Sequence, residues 1–144
     1  MRLVWSERLR TGIREIDLQH QGFIDIINDL EDFCHDGAAR DSQAPGRDLD
    51  RILAQLMAYA EFHFATEDAL MGRHLPESSP HLLVHARAHA GFGQHIQAFR
   101  RRPEGERLAA AGQLLDHLKR WLEQHILGVD KKLVELIEAR HDHA

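Results

Sequence analysis

The chain has 144 residues, 43% of them hydrophobic, and a formal net charge of -5 at pH 7. This length suits one domain with a single hydrophobic core. No apolar run approaches the roughly 20 residues that a membrane span requires, and the acidic balance disfavours nucleic acid or an anionic membrane as a partner. The first residues lack the apolar stretch of a secretory signal, and the single cysteine excludes an internal disulfide. We therefore expect one soluble, cytoplasmic domain over residues 1–144.

The periodicity of apolar residues predicts an all-α protein, an antiparallel up-down four-helix bundle with an N-terminal arm. The arm covers residues 1–16, where Gly12 weakens helix formation. A loop of about a dozen residues, between Asp36 and Gly46, should follow the first helix. Before the third helix, Ser79 can act as N-cap and Pro80 can take the first helical position. The helices are expected at about residues 17–35, 48–72, 80–101 and 106–139.

Histidine is unusually abundant, with 12 residues, and five histidines lie on the inward faces of predicted helices. Residues three or four apart share one face of an α-helix, and each of the four apolar stripes includes at least one histidine. In chain order, the histidines and carboxylates of these stripes are His20, His63, Glu67, His85, His89, His125 and Asp130. Asp130 follows His125 by five residues, roughly 140° around an ideal helix. Gly128 between them favours a local widening of the helix.

Such a set of inward polar residues points to metal. A buried ionised carboxylate is costly unless it is paired or bound to a metal ion. Imidazole with carboxylate suits zinc, iron, copper or manganese, but seven ligands are too many for one ion. With two roughly six-coordinate ions, bridging carboxylates and one bridging oxygen, about one position stays open. The pattern therefore predicts two ions with room for one diatomic molecule, and iron is the metal that suits redox chemistry with it.

Four groups of residues form a signature over nearly the whole chain. They are Gly12-Ile13 with Ile16-Asp17-Leu18-Gln19-His20; His63-Phe64 with Glu67 and Met71; Pro80 with His85, His89 and Phe92; and Trp121-Leu122 with His125-Ile126 and Asp130. This signature resembles that of the hemerythrin family, above all its single-domain bacterial members. The resemblance implies a four-helix bundle that binds dioxygen reversibly for storage, delivery or sensing, and it implies a binding protein rather than an enzyme.

The resemblance also implies the roles of particular residues. The cofactor would be two iron ions (Fe2+/Fe3+) with an oxo or hydroxo bridge, and Glu67 and Asp130 would bridge the ions. The implied iron ligands are His20, His63, Glu67, His85, His89, His125 and Asp130. The implied lining of the oxygen pocket is Phe64, Met71, Trp121 and Leu122. Dioxygen, nitric oxide and small anions are the expected partners at the open iron, and a protein partner is not identified.

The chain departs from the family pattern before the third helix, where Ser79-Pro80 replaces the usual tyrosine-proline pair after a longer connection. Histidines then recur at spacing four, so the ligand pair could be His81 with His85 or His85 with His89. We favour the second pair, because Pro80 five residues before His85 agrees with the family spacing.

Two other functions fit the same open iron. One is a di-iron enzyme that acts on nitric oxide, peroxide or ferrous iron. The other is an oxygen or redox sensor that signals to a partner protein. Multiple turnovers with an electron donor would identify the enzyme, whereas stoichiometric gas uptake would identify the binder.

Overall fold

A computed structural model describes residues 2–35 and 44–142, with side chains as far as residue 140. Within these ranges the regular structure is helical throughout, and four long helical rods confirm the all-α bundle. The elements are a 3-10 turn at Glu7–Leu9, α1 at Arg14–His35, α2 at Pro45–His74, α3 at Pro80–Arg100, α4 at Glu104–Gln124, a π-helical segment at His125–Asp130 and α5 at Lys131–Asp142. The last three elements form one continuous rod. Most of the loop predicted after the first helix lies outside the described residues.

Helix α1 begins three residues earlier than the sequence predicts, because a side chain organises the turn before it. The Asp17 carboxylate accepts hydrogen bonds from the Thr11 N–H and hydroxyl, both at 2.8 Å, and from the Gly12 N–H at 3.2 Å. Gly12 has a φ of 93°, a conformation that glycine adopts without a Cβ penalty. The chain therefore turns at Gly12 and enters the helix at Arg14.

The predicted N-terminal arm packs against the bundle. Leu3 and Trp5 are partly buried against the main core, and the Leu3 backbone exchanges two 2.9 Å hydrogen bonds with the Asn28 side chain. Arg8 reaches the last rod, where it pairs with Glu123 at 2.6 Å. The arm is thus attached to both α1 and α4.

Two apolar clusters form the core, and the polar side chains of interest lie between them along the helices. The main cluster includes Phe23 of α1 and Ala60 of α2, whereas the second includes Ile16 and Leu70 of the same two helices. On α1, His20 therefore lies between the two clusters. Burying each large side chain contributes about 1.5–3 kcal/mol, so both clusters fix the helices that carry the polar residues. Of the helices in the described ranges, none combines the length and the apolar character needed to cross a membrane.

Candidate metal centre

The structure brings all seven predicted ligand residues together in the middle of the bundle. Six are at most 2% exposed, and the side chain of the seventh, His89, is 12% exposed. They come from all four rods: one from α1, two from α2, two from α3 and two from the π-helical segment. In chain order they are His20, His63, Glu67, His85, His89, His125 and Asp130.

Glu67 lies at the centre of one half of this cluster. Its Oε1 atom is 2.7 Å from His63 Nε2, one turn earlier on α2. The same oxygen lies 3.4 Å from His125 Nε2 and 3.7 Å from His89 Nε2. The other oxygen, Oε2, is 3.4 Å from His85 Nδ1. One carboxylate thus faces imidazoles from three rods.

Asp130 holds the equivalent position in the other half. Its Oδ2 atom is 2.6 Å from His20 Nε2 and 3.4 Å from His63 Nε2. Its Oδ1 atom is 3.1 Å from His125 Nε2 and 3.7 Å from His85 Nε2. Because each carboxylate approaches imidazoles with both of its oxygens, each could contact more than one cation.

The π-helical segment explains how His125 and Asp130 share one face. In a π-helix the hydrogen bond runs to the residue five positions earlier, as it does from the Lys131 N–H to the Ile126 carbonyl. The predicted local widening is therefore confirmed. A Cβ added at Gly128 would meet nothing within 4 Å, so packing does not require glycine there.

Buried polar atoms without hydrogen-bond partners show that the donor set suits a cation. A buried polar atom without a partner is costly, yet several occur in the cluster: Glu67 Oε2, both ring nitrogens of His85, His89 Nε2 and Asp130 Oδ1. Two sets of donor atoms could each hold a metal ion: His63, Glu67, His125 and Asp130, and Glu67, His85 and His89. The two sets share Glu67, so one carboxylate connects them.

The electrostatics of the cluster agree with this interpretation. Burial lowers the pKa of His125, but the charge and hydrogen bonds of Asp130 and Glu67 outweigh it and raise the pKa to about 10. Burial and Asp130 raise the pKa of Glu67, but hydrogen bonds from the imidazoles outweigh them and lower it to about 2. The two carboxylates also outweigh burial at His63 and raise its pKa, whereas burial lowers the pKa of His20 and brings that of His85 to about 4. Protonated and neutral imidazoles thus surround the ionised carboxylates, and metal binding would release the protons that the first group holds.

Two of the four residues predicted to line an oxygen pocket contact the imidazoles. The Phe64 ring stacks on His89, with centroids 3.8 Å apart, and the Trp121 ring stacks on His125 at 4.6 Å. Met71, by contrast, is buried in the second core cluster.

The fourth predicted lining residue, Leu122, is buried in the main cluster together with two aromatic residues that the prediction omitted. Phe23 meets the His63 ring edge-on at 5.4 Å, and Phe92 packs against Trp121 at 4.4 Å. Both lie on the inward stripe, one turn after a predicted ligand, and that spacing was the signal available in the sequence.

The geometry supports His89 rather than His81 as the partner of His85. His89 shares a donor set with Glu67. His81 is buried, its ring lies 4.6 Å from that of His85, and its Nε2 atom has no hydrogen-bond partner, but it belongs to neither donor set. Burial lowers the pKa of His81, and a backbone contact with Val129 opposes this shift.

Sequence reasoning also missed Gln19 as a residue of the site. Its side chain is buried between α1 and α2, and its Oε1 atom lies 2.7 Å from His63 Nδ1. A buried amide next to a predicted ligand was the available signal, because such a group needs partners.

Comparisons with known proteins agree with this site. The family model described as the hemerythrin HHE cation binding domain matches residues 11–137. The chain is 30% identical over 138 residues to a bacteriohemerythrin of Stenotrophomonas maltophilia, covering 95% of this chain and 82% of that protein. It is 31% identical over 136 residues to a bacteriohemerythrin of Pseudomonas aeruginosa, covering 94% and 81%. A bacteriohemerythrin of Clostridium acetobutylicum is 24% identical over 133 residues, covering 92% and 98%.

Proposed function

We propose that this chain, which belongs to the hemerythrin family, binds dioxygen reversibly at a centre of two iron ions. The observation that carries the proposal is the position of Glu67 and Asp130 among five imidazoles from four helical rods. Imidazole with carboxylate suits iron, and the relatives are named bacteriohemerythrins. A single domain over residues 1–144 and a cytoplasmic location remain predictions.

We assign the seven ligands to two ions. His20 and His63 would hold one ion, whereas His85, His89 and His125 would hold the other. His125 also shares a donor set with His63, and we assign it to the second ion because three imidazoles there leave the free position on the first. The two carboxylates would contact both, because each already faces imidazoles of both groups. The ion with two imidazoles would keep a free position for dioxygen. When bound, iron supplies the electrons that dioxygen accepts on binding and returns on release.

The remaining residues favour release over further reaction. Five neutral imidazoles and two carboxylates carry less negative charge than the carboxylate-rich donor sets of di-iron oxidases, so they stabilise highly oxidised iron less well. The Phe23 ring meets His63 edge-on at 5.4 Å, and the Phe64 ring lies 5.9 Å from the same imidazole. Apolar rings therefore border the ion that would keep the free position, and they limit its contact with water. Exclusion of water prevents side reactions of the bound gas, and we therefore assign this chain as a binder.

Anaerobic reduction followed by exposure to air tests the proposal. Iron is quantified, and the ultraviolet-visible spectrum is followed while oxygen is added and then removed. We expect two irons per chain and a new absorption that disappears when oxygen is withdrawn. Prompt, irreversible oxidation without an oxygenated species would refute reversible binding and favour the enzyme or redox-sensor function. A protein that takes up no iron would refute the centre itself.

A pair of variants on α3 tests the ligand assignment. His81 and His89 lie one turn before and one turn after His85, so each is the matched control for the other. We expect His89→Ala to lose iron and His81→Ala to keep the full content, measured by metal analysis after identical reconstitution. The reverse result would show that His81 is the ligand.

A further inference from the structure

We propose that Gln19 is a positioning residue for the iron centre: its side-chain amide orients His63 and sets how strongly this imidazole donates to iron. The inference rests on the proposed function, because it takes His63 as a ligand of the ion with the free position. Gln19 is not part of the proposed ligand set, and its role would be to fix one of the ligands.

The first step is the contact between the two side chains. Gln19 Oε1 lies 2.7 Å from His63 Nδ1, and both residues are buried, at 8% and 0% exposure. On the other side of the ring, His63 Nε2 faces the carboxylate of Glu67 at 2.7 Å. An oxygen acceptor at Nδ1 requires the proton on that nitrogen, which leaves the Nε2 lone pair for a metal.

The orientation of the amide follows from its other partner. Gln19 Nε2 lies 3.0 Å from Thr66 Oγ1, and the Thr66 hydroxyl in turn donates to the Phe62 carbonyl at 3.2 Å. The hydroxyl proton is thereby used, so the Thr66 oxygen must accept from the Gln19 NH2 group. The amide carbonyl is left facing His63. The hydrogen bonds therefore run in one direction, from His63 to Gln19, from Gln19 to Thr66 and from Thr66 to the Phe62 carbonyl.

The backbone of Gln19 is held as well. The Tyr59 hydroxyl donates to the Gln19 carbonyl at 2.9 Å. Tyr59, His63 and Thr66 are spaced four and three residues apart, so they share one face of α2. Gln19 is therefore held by His63 and by one residue of α2 on each side of it along the helix.

This support distinguishes His63 from the other proposed imidazole ligands of the described structure. His20 Nδ1, His125 Nδ1 and both ring nitrogens of His85 are buried without a hydrogen-bond partner. His89 Nδ1 is 3.9 Å from a carboxylate oxygen of Asp68, an exposed residue. A second-nitrogen hydrogen bond fixes ring orientation and raises the basicity of a ligating imidazole. Gln19 would therefore act on the ion at which dioxygen binds.

Two substitutions at Gln19 separate positioning from general packing. Gln19→Leu removes the acceptor, whereas Gln19→Glu keeps the shape and offers His63 a charged acceptor that bonds more strongly. The Thr66 hydroxyl, which accepts from Gln19 in the wild type, would turn to donate to the carboxylate in Gln19→Glu. Gln55→Leu, at an exposed position on α2, is the matched control. We expect Gln19→Leu to weaken iron binding by about 10–100-fold, the usual effect of losing such a partner, and the control to bind like the wild type.

The reduction potential gives a readout that loss of packing alone would not produce. A stronger acceptor makes His63 a better donor and stabilises ferric iron, so Gln19→Glu should lower the potential and Gln19→Leu should raise it. Shifts of the same sign in both variants, or wild-type iron affinity and potential in Gln19→Leu, would overturn the proposal.

The hydrogen bond between Gln19 and His63 is tested in the metal-free chain. The result does not depend on iron binding, so failure of this proposal can be told from failure of the proposed function. Nitrogen-15 NMR of the imidazoles should show a slowly exchanging Nδ1 proton on His63 in the wild type and in Gln19→Glu, and rapid exchange in Gln19→Leu. Circular dichroism establishes that each variant is folded. Equal exchange in all three proteins would refute the role of Gln19, whether or not the wild type binds iron.

Discussion

Gly22 lies where the Tyr59 side chain crosses α1, and replacing it with alanine tests the packing of α1 against α2. A Cβ at position 22 would overlap the Tyr59 hydroxyl and the ring carbon that bears it. The ring would have to move from its edge-on contact with Phe23, where the centroids are 5.2 Å apart, and its hydroxyl would leave the Gln19 carbonyl.

The expected loss of stability combines three effects. Forcing extra volume into a packed site costs about 1–3 kcal/mol, and the lost Tyr59 hydrogen bond costs about 1 kcal/mol. The better helix propensity of alanine offsets about 1 kcal/mol. Gly22→Ala should therefore lower the free energy of unfolding by about 1–3 kcal/mol. With Tyr59→Ala already present, neither cost remains, and Gly22→Ala should raise that free energy by about 1 kcal/mol.

A double-mutant cycle measures this reversal of sign. Urea unfolding of the wild type, both single variants and the double variant is followed by far-ultraviolet circular dichroism at one state of metal loading. The four free energies should give a coupling of about 2–4 kcal/mol between the two positions. If Gly22→Ala stabilised the chain in both backgrounds, Tyr59 would not occupy the space beside Gly22, and the reasoning would be wrong.

Three further predictions concern the stability of the fold. Gly12→Ala should destabilise the protein by about 1–2 kcal/mol in urea unfolding, because φ is 93° while a new Cβ would meet nothing within 4 Å; an unchanged midpoint would contradict the conformation of the arm. Lys119 lies 2.5 Å from Glu31, and its hydrogen bond lowers the pKa of Glu31 to about 2. The free energy of unfolding should therefore fall as the pH drops below 4.5, and Lys119→Met should make this fall less steep. Burial and the stacked His95, at 3.8 Å, lower the pKa of His117 from 6.5. The free energy of unfolding should therefore also decline as the pH falls below 6.5, and His117→Phe should make this decline less steep. The same dependence of stability on pH in His117→Phe and the wild type would argue against the stacked pair.

The convergence of the predicted ligands could be derived from the sequence, because apolar neighbours mark the inward face of each helix. His63 and Glu67 lie one turn apart on the stripe that continues to Leu70, and burial of that stripe carries both side chains into the bundle. Gln19 could not be placed in the same way. It is adjacent to His20 and so points about 100° away from it around the helix, onto a face whose burial depends on Tyr59 of another helix.

The choice between His81 and His89 shows a second limit of sequence periodicity. Both lie four residues from His85, so spacing alone treats them equally. What separates them is tertiary: His89 approaches Glu67 and shares a donor set with it, whereas His81 belongs to neither donor set. The start of α1 has a similar origin, because it depends on hydrogen bonds to Asp17 across a turn rather than on helix propensity.

The π-helical segment also determines how this site could be transferred to another scaffold. An idealised four-helix bundle has straight, regular helices, and copying the seven side chains onto it at their present spacing would direct the last carboxylate away from the other six. A designer would have to transplant the widened backbone of residues 125–130, or delete one residue so that the aspartate follows the histidine by four. The second design would also restore a regular helix, so the ligand set should tolerate one deletion within residues 125–130. A deletion within α4 would instead rotate the residues after it, including His125 and Asp130, about the helix axis.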